Sequence, residues 1–313
     1  MTAADRFVPY PKLREVAADE PGGTWVATEK LHGANLAIVV TRTDVALAKR
    51  RAVLTPDAMP GFFGVQRLWP ALAASGRLAL DALPGTQALI LYGELVGGGY
   101  PAAAAGSPDG AGPVQTGIAY SPGLVWCGFD ARAEHDDGSA TWLAVDERLR
   151  VLAAAGLPAV PELARGGLTA LRRLPVLFPS RLPATLGLPP LAGNDAEGFV
   201  LMPAGPQPVS GSRTAEKHKQ PRFAEDERYA GARPAVVGDA VDAELTDLAQ
   251  ALLTPARAQA ARSKTGLDAE ATVAELVADV LDAVDEQVGG LDAPARASLE
   301  AAVGPAAWRL LGR

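Results

Sequence analysis

The chain has one cysteine, Cys127, in 313 residues. That excludes an intrachain disulfide and leaves no thiolate cluster to hold zinc. Long apolar runs are also missing, so no membrane span is expected, and the opening residues MTAADRFVPYPKLREV lack the cationic start and apolar stretch of a leader. A reducing cytoplasm is the expected location. Aromatic residues make up 5% against 48% hydrophobic residues in all, so the core is built from Ala, Leu and Val, in amounts that suit one large domain or two of ordinary size. The formal charge of −7 argues against a protein coated in nucleic acid and confines any such contact to a local basic groove. Lysine is the most telling scarcity: only six of the 29 basic residues are lysine, at 12, 30, 49, 217, 219 and 264. Arginine stays charged, whereas a desolvated lysine can lose its proton and attack, so a lysine kept where composition favours arginine points to chemistry.

From residue 24 to about 223 the pattern is short apolar or alternating runs: TWVATEK, NLAIVVT, DVALAKR, QALILYGEL, GLVWCGFDA, GFVLMP and AEKHKQ, punctuated by Gly and Pro. These predict antiparallel strands. FGVQRLWPALAAS near 64–75 and DERLRVLAAAG near 146–156 read as helices, which makes the class α+β. Residues 101–118 read as a surface loop. After about 235 the character changes. Val273, Leu276, Val277, Val280, Leu281, Val284 and Val288 recur at helical spacing, Gly289 and Gly290 stop that helix, and Asp292 before Pro294 starts another that buries Leu299, Val303, Trp308 and Leu311. The expected organisation is a sheet-based domain over 1–234 and a small helical domain over 235–313.

Six segments carry the chemistry. In ATEKLHGANLAIVV, Lys30 ends a strand and Gly33 lets backbone approach a ligand, while Asn35 can hydrogen-bond a hydroxyl. ALAKRRAVLTPDAMPGFFG holds the densest positive charge of the first half, Lys49, Arg50 and Arg51. In LILYGELVGGGYP, Glu94 closes an apolar run and needs a partner, because burying it alone is costly. VQTGIAYSPGLVWCGFDARA contributes Gln115 and Phe129, and NDAEGFVLMP contributes Glu197. In AEKHKQPRFAE, a strand would point Lys217 and Lys219 to one face and His218 to the other. Taken singly, each has a plainer explanation: a strand-end lysine, a packed histidine, a solvated basic turn, a core phenylalanine.

Together and in this order, the segments resemble the ATP-dependent covalent nucleotidyltransferase superfamily of ligases and capping enzymes. They look most like the RNA ligase 2 family, over about residues 8–226. The resemblance implies an antiparallel-sheet nucleotidyltransferase (ATP-grasp-like ligase) domain and a helical C-terminal appendage. It implies that Lys30 takes AMP from ATP, that Glu29 lies beside the adenine, and that Asn35, Arg50, Glu94, Phe129, Lys217 and Lys219 bind the nucleotide. His32, Arg50 and Gln115 would face RNA, and Glu197 would hold magnesium or manganese. His32 and Asn35 give the Lys30 motif its RNA-ligase form. Two departures stand out: Met202, where a lysine or arginine commonly precedes the proline, and Arg51 with Ala52, where Ser and Gly are usual. They predict one phosphate or RNA contact missing or supplied elsewhere, and a differently shaped turn. The implied function is an ATP-dependent RNA ligase joining 5′-phosphate and 3′-hydroxyl ends. The alternatives are a ligase for DNA or mixed nicks, a capping-type nucleotidyltransferase, and a degraded RNA-end-binding protein. On the C-terminal helices, Arg257, Arg262 and Lys264 would offer phosphate contacts or form a solvated face.

Overall fold

The computed structural model describes residues 1–11, 13–14, 23–100, 113–115, 117–209, 213–220, 243–266, 268–288, 291 and 293–312. Most of the loop expected at 101–118, the stop at Gly289 and Gly290, Asp292 and the boundary at 234/235 lie outside the described residues. Two compact units are present, one of Met1–Pro60 with Gly64–Arg222 and one of Gly61–Phe63 with Phe223–Arg313.

The first unit is α+β. Its strands are β1 (Leu13–Arg14), β2 (Trp25–Lys30), β3 (Ala34–Thr41), β4 (Val45–Lys49), β5 (Ala52–Leu54), β6 (Thr86–Gly99), β7 (Ser121–His135), β8 (Ala140–Trp142), β9 (Glu162–Gly166), β10 (Gly198–Pro203), β11 (Gln207–Pro208), β12 (Arg213–Thr214) and β13 (Glu216–Lys219). Its helices are α1 (Trp69–Asp81), α2 (Val145–Ala154), α3 (Leu168–Leu171) and α4 (Leu182–Thr185). Seven strands pair in the order β11-β8-β7-β6-β3-β4-β5 and four in the order β13-β10-β2-β9, while β1 joins β12. Pairing within both larger sheets is antiparallel.

β3 is apolar on both faces because both are covered. On one, α1 lies so close that a Cβ on Gly76 would sit 2.8 Å from Val40 Cγ2. On the other, Ala37, Val39, Ile90, Tyr92 and Trp142 pack with Ala3, Phe7 and Tyr10 of the N-terminal segment. In the four-stranded sheet, Trp25 and Ala27 of β2 pack with Leu171, Phe199 and Leu201. Alternation sends Val26, Thr28 and Lys30 to the opposite face, where Val26 meets Val145, Met202 and Ala215.

The second unit is helical: α5 (Ala243–Ala251), α6 (Pro255–Thr265), α7 (Ala269–Val288) and α8 (Ala293–Leu310). Thr254 caps α6 by accepting from Arg257 N. One core gathers Val273, Leu276, Val277, Val280, Leu281, Val284, Leu299 and Val303, with Trp308 and Leu311 at its edge; the side chain of Val288 lies outside the described set. Arg257 pairs with Asp279 and Lys264 with Glu275, so both cations tie α6 to α7. Among the described residues no helix is long and apolar enough to cross a membrane.

Candidate functional site

Lys30 ends β2, and the register places it directly across Gly198 from Lys219. Gly198 has φ +151°, and a Cβ there would lie 1.9 Å from His218 O, so glycine alone lets the three strands close at this level. The residue before it, Glu197, joins the two lysines: Lys30 Nζ donates to Oε2 at 2.8 Å, and Lys219 Nζ is 3.8 Å from Oε1. His32 Nδ1 stands 3.7 Å from Oε2. Burial alone would push Glu197 up, but Lys30, His32 and Lys219 outweigh it and hold the carboxyl at about 2.

Lys217 pairs with Val200, two residues from the Lys219–Gly198 pair, so Lys217, Lys219 and Lys30 share one face. His218 points the other way and stacks on Phe199, with ring centroids 4.6 Å apart and planes at 12°. Its Nε2 is 3.1 Å from Glu216 Oε2, and Glu216 is also bound by Arg172.

The second half of the site is the end of the seven-stranded sheet. Asn35 and Glu94 are direct cross-strand partners, and Gly33 N donates to Glu94 Oε1 at 3.1 Å. A Cβ on Gly33 would meet Leu95 O at 2.2 Å, so the turn after Lys30 needs glycine for its approach to β6. Arg50 and Arg51 form the two-residue turn between Lys49 and Ala52, which pair with each other. Neither has a positive φ, so the turn does not need the usual glycine and tolerates Arg51 and Ala52. Since Leu36 pairs with Lys49, Arg50 follows at the level of Asn35. Phe129 is the bulged residue between the pairs Gly93–Gly128 and Tyr92–Asp130, and its ring meets Tyr10 edge-on at 5.1 Å. Gln115 is half-buried in the segment entering β7.

Glu29 is placed differently from the others. It is buried on the face opposite Lys30, where Oε1 accepts from Ser180 Oγ at 2.6 Å and Oε2 from Arg181 N at 2.7 Å. Burial raises its carboxyl above the ordinary value, and these bonds oppose the rise. Cys127 is fully buried, and burial pushes its thiol far up, leaving an inert side chain.

Sequence reasoning did not single out a buried ionic cluster behind Phe129. Asp130 Oδ2 accepts from Arg213 Nε at 2.7 Å and from Tyr10 Oη at 2.8 Å, and Arg148 Nη1 lies 3.9 Å from Oδ1. Arg148 also donates to Phe129 O and lies 3.2 Å from Met202 Sδ. Met202 is therefore a core residue: the position faces inward, and a cation reaches it from α2. The available signal was charge inside apolar runs, which demands partners.

Among the described residues no three His, Cys, Asp or Glu side chains form a metal-holding group. On the lysine-lined face Glu197 offers a carboxylate beside Lys30 and Lys219. That fits magnesium or manganese, which take one or two carboxylates and complete their shell with water and phosphate oxygens.

The geometry is a carboxylate, Glu197, between the amines of Lys30 and Lys219, at the level where Gly198 lets β2, β10 and β13 close. The chain belongs to the RNA ligase family, whose model matches residues 23–219. It is 31% identical over 201 residues to the mitochondrial RNA-editing ligase 2 of Trypanosoma brucei brucei, a match covering 56% of this chain and 48% of that one. The chain thus spans about half the length of this curated relative. Solved structures of Naegleria gruberi RNA ligase also match: a lysine-to-alanine variant with ATP and Mn, and the protein with PPi, each at TM-score 0.41 and 16% identity. They cover 64% of this chain and 51% and 50% of theirs.

Proposed function

We propose that this protein is an ATP-dependent RNA ligase that seals 5′-phosphate and 3′-hydroxyl RNA ends. The observation that carries the reading is the alignment of Lys30, Gly198 and Lys219 with Glu197 between the two amines, inside the stretch matched to the family. In the first step Lys30 Nζ, after giving its proton to solvent, forms a P–N bond to the α-phosphorus of ATP while the bond to the β-phosphate oxygen breaks and pyrophosphate leaves. AMP then passes to the 5′-phosphate of an RNA end, and a 3′-hydroxyl displaces it.

Such transfers are catalysed mainly by positioning and charge neutralisation. Lys217 and Lys219 serve the second need on the Lys30 face. Asn35, Glu94 and Arg50 receive the nucleoside or RNA end, Phe129 flanks the base, and His32 and Gln115 face RNA. Glu29 serves the nucleotide site from behind the strand, because both its oxygens are engaged by protein. Glu197 would hold magnesium or manganese, which would supply further charge neutralisation on the triphosphate. We assign the first unit the adenylyltransferase role and the helical unit the engagement of RNA, and we place RNA-end repair in the cytoplasm as the setting.

The test is sealing of matched duplexes nicked in RNA or in DNA, with ATP or GTP as donor. Joining of RNA nicks with ATP is the expected result. Preference for DNA nicks, or transfer of GMP, contradicts it, and RNA binding without any nucleotide transfer leaves the degraded end-binding protein.

A further inference from the structure

The turn after Lys30 is held by a closed circuit of polar contacts. His32 N donates to Tyr120 Oη at 2.9 Å, and Tyr120 is 2% exposed. Burial pushes its phenol well up, so the hydroxyl stays neutral. Next to it, Ala119 is gripped at both backbone groups by one side chain: Ala119 N donates to Asn194 Oδ1, and Asn194 Nδ2 donates to Ala119 O, each at 2.8 Å. Asn194 O accepts from Ser180 N at 2.9 Å. Ser180 Oγ donates to Glu29, and Glu29 adjoins Lys30, which closes the circuit. Asn194 also lies three residues before Glu197, and Ala196 N donates to Phe178 O at 2.9 Å. Both members of the Lys30–Glu197 pair therefore hang from the same circuit.

A two-point amide grip fixes both distance and orientation, as a strand pair does, and a buried N–H left without its acceptor carries a desolvation cost. In-line displacement is unforgiving of small shifts in the nucleophile. We infer that Tyr120 and Asn194 are positioning residues that set the Lys30–Gly33 turn and Glu197 against each other. Neither touches the reacting atoms; each acts through the backbone of His32 or Ala119. The inference rests on the ligase reading above.

The experiment is single-turnover formation of the covalent adenylate by the full chain across ATP concentrations, for wild type, Tyr120→Phe, Asn194→Ala and the double variant, with thermal melts alongside. Tyr120→Phe should slow the rate at saturating ATP about ten-fold, with half-saturation within about two-fold of wild type. Because both residues serve one circuit, the double variant should be slowed by much less than the product of the single effects. Unchanged rates with lowered melting temperatures, or loss confined to ATP half-saturation, would overturn the inference. If Tyr120→Phe does not fold, Asn194→Ala decides on the same terms. No adenylate on wild type sinks the ligase reading itself, whereas adenylate on wild type with undiminished variants sinks this inference alone.

Discussion

Gly198 shows how much of the site turns on single residues. It separates Lys30 from Lys219 in register, and the backbone of β13 fills the space a side chain would need. Gly198→Ala should cost at least about 2 kcal/mol in denaturant unfolding, since either φ or the strand approach must give. It should also slow adenylylation more than the stability loss explains. A variant with wild-type unfolding and rate would show that the strands need not close at this level. Lys30, Glu197, Lys217 and Lys219 are singled out in the sequence by the order of six segments and their resemblance to the ligase family, and the structure brings Lys30, Glu197 and Lys219 together. Tyr120, Asn194 and the Asp130–Arg213 pair are not, because their meaning lies in partners far along the chain: 88 residues separate His32 from Tyr120, and 83 separate Asp130 from Arg213. The resemblance implies a place beside the adenine for Glu29, and strand alternation puts its side chain on the face opposite Lys30, against Ser180 and Arg181.

At the scale of elements, β13 delivers two lysines to one face because its other face is anchored. Glu216 and His218 lie there, with Arg172 bound to Glu216 and His218 stacked on Phe199. The Arg172 hydrogen bond, helped by His218 and opposed by burial, holds the Glu216 carboxyl below its ordinary 4.5. A carboxyl depressed on folding stabilises fully above its unfolded value and loses that contribution as pH falls through the folded one. Wild type should therefore exceed Glu216→Gln in stability at neutral pH, and the gap should close as pH drops below about 4.5, read by urea unfolding at successive pH values. A gap that stays constant into strong acid contradicts the anchor. Most strands were readable from alternation and apolar runs, but their division into separate sheets was not, because pairing joins residues remote in sequence. The polar strand β9 escaped notice because ELARG has no apolar alternation. The helix expected near 64–75 begins later, as a 3-10 turn at Val65–Arg67 followed by α1, with Pro70 in the first turn where its missing N–H costs nothing.

At the scale of the whole molecule, each unit has its own core. The shift to helical spacing after about 235 made the second unit legible, though not its ion pairs, which depend on how α6 packs against α7. A protein ending at residue 234 should keep self-adenylylation and lose joining of RNA ends, measured by label transfer and by nick sealing. Loss of both activities would make the helical unit structural for the first. The claim beneath all of this is that Lys30 carries AMP. It is tested most directly by incubating the purified protein and Lys30→Ala with magnesium and α-labelled ATP and following covalent label. The account predicts label on wild type and none on Lys30→Ala; label retained by Lys30→Ala, or no label on folded, unadenylylated wild type, would contradict it.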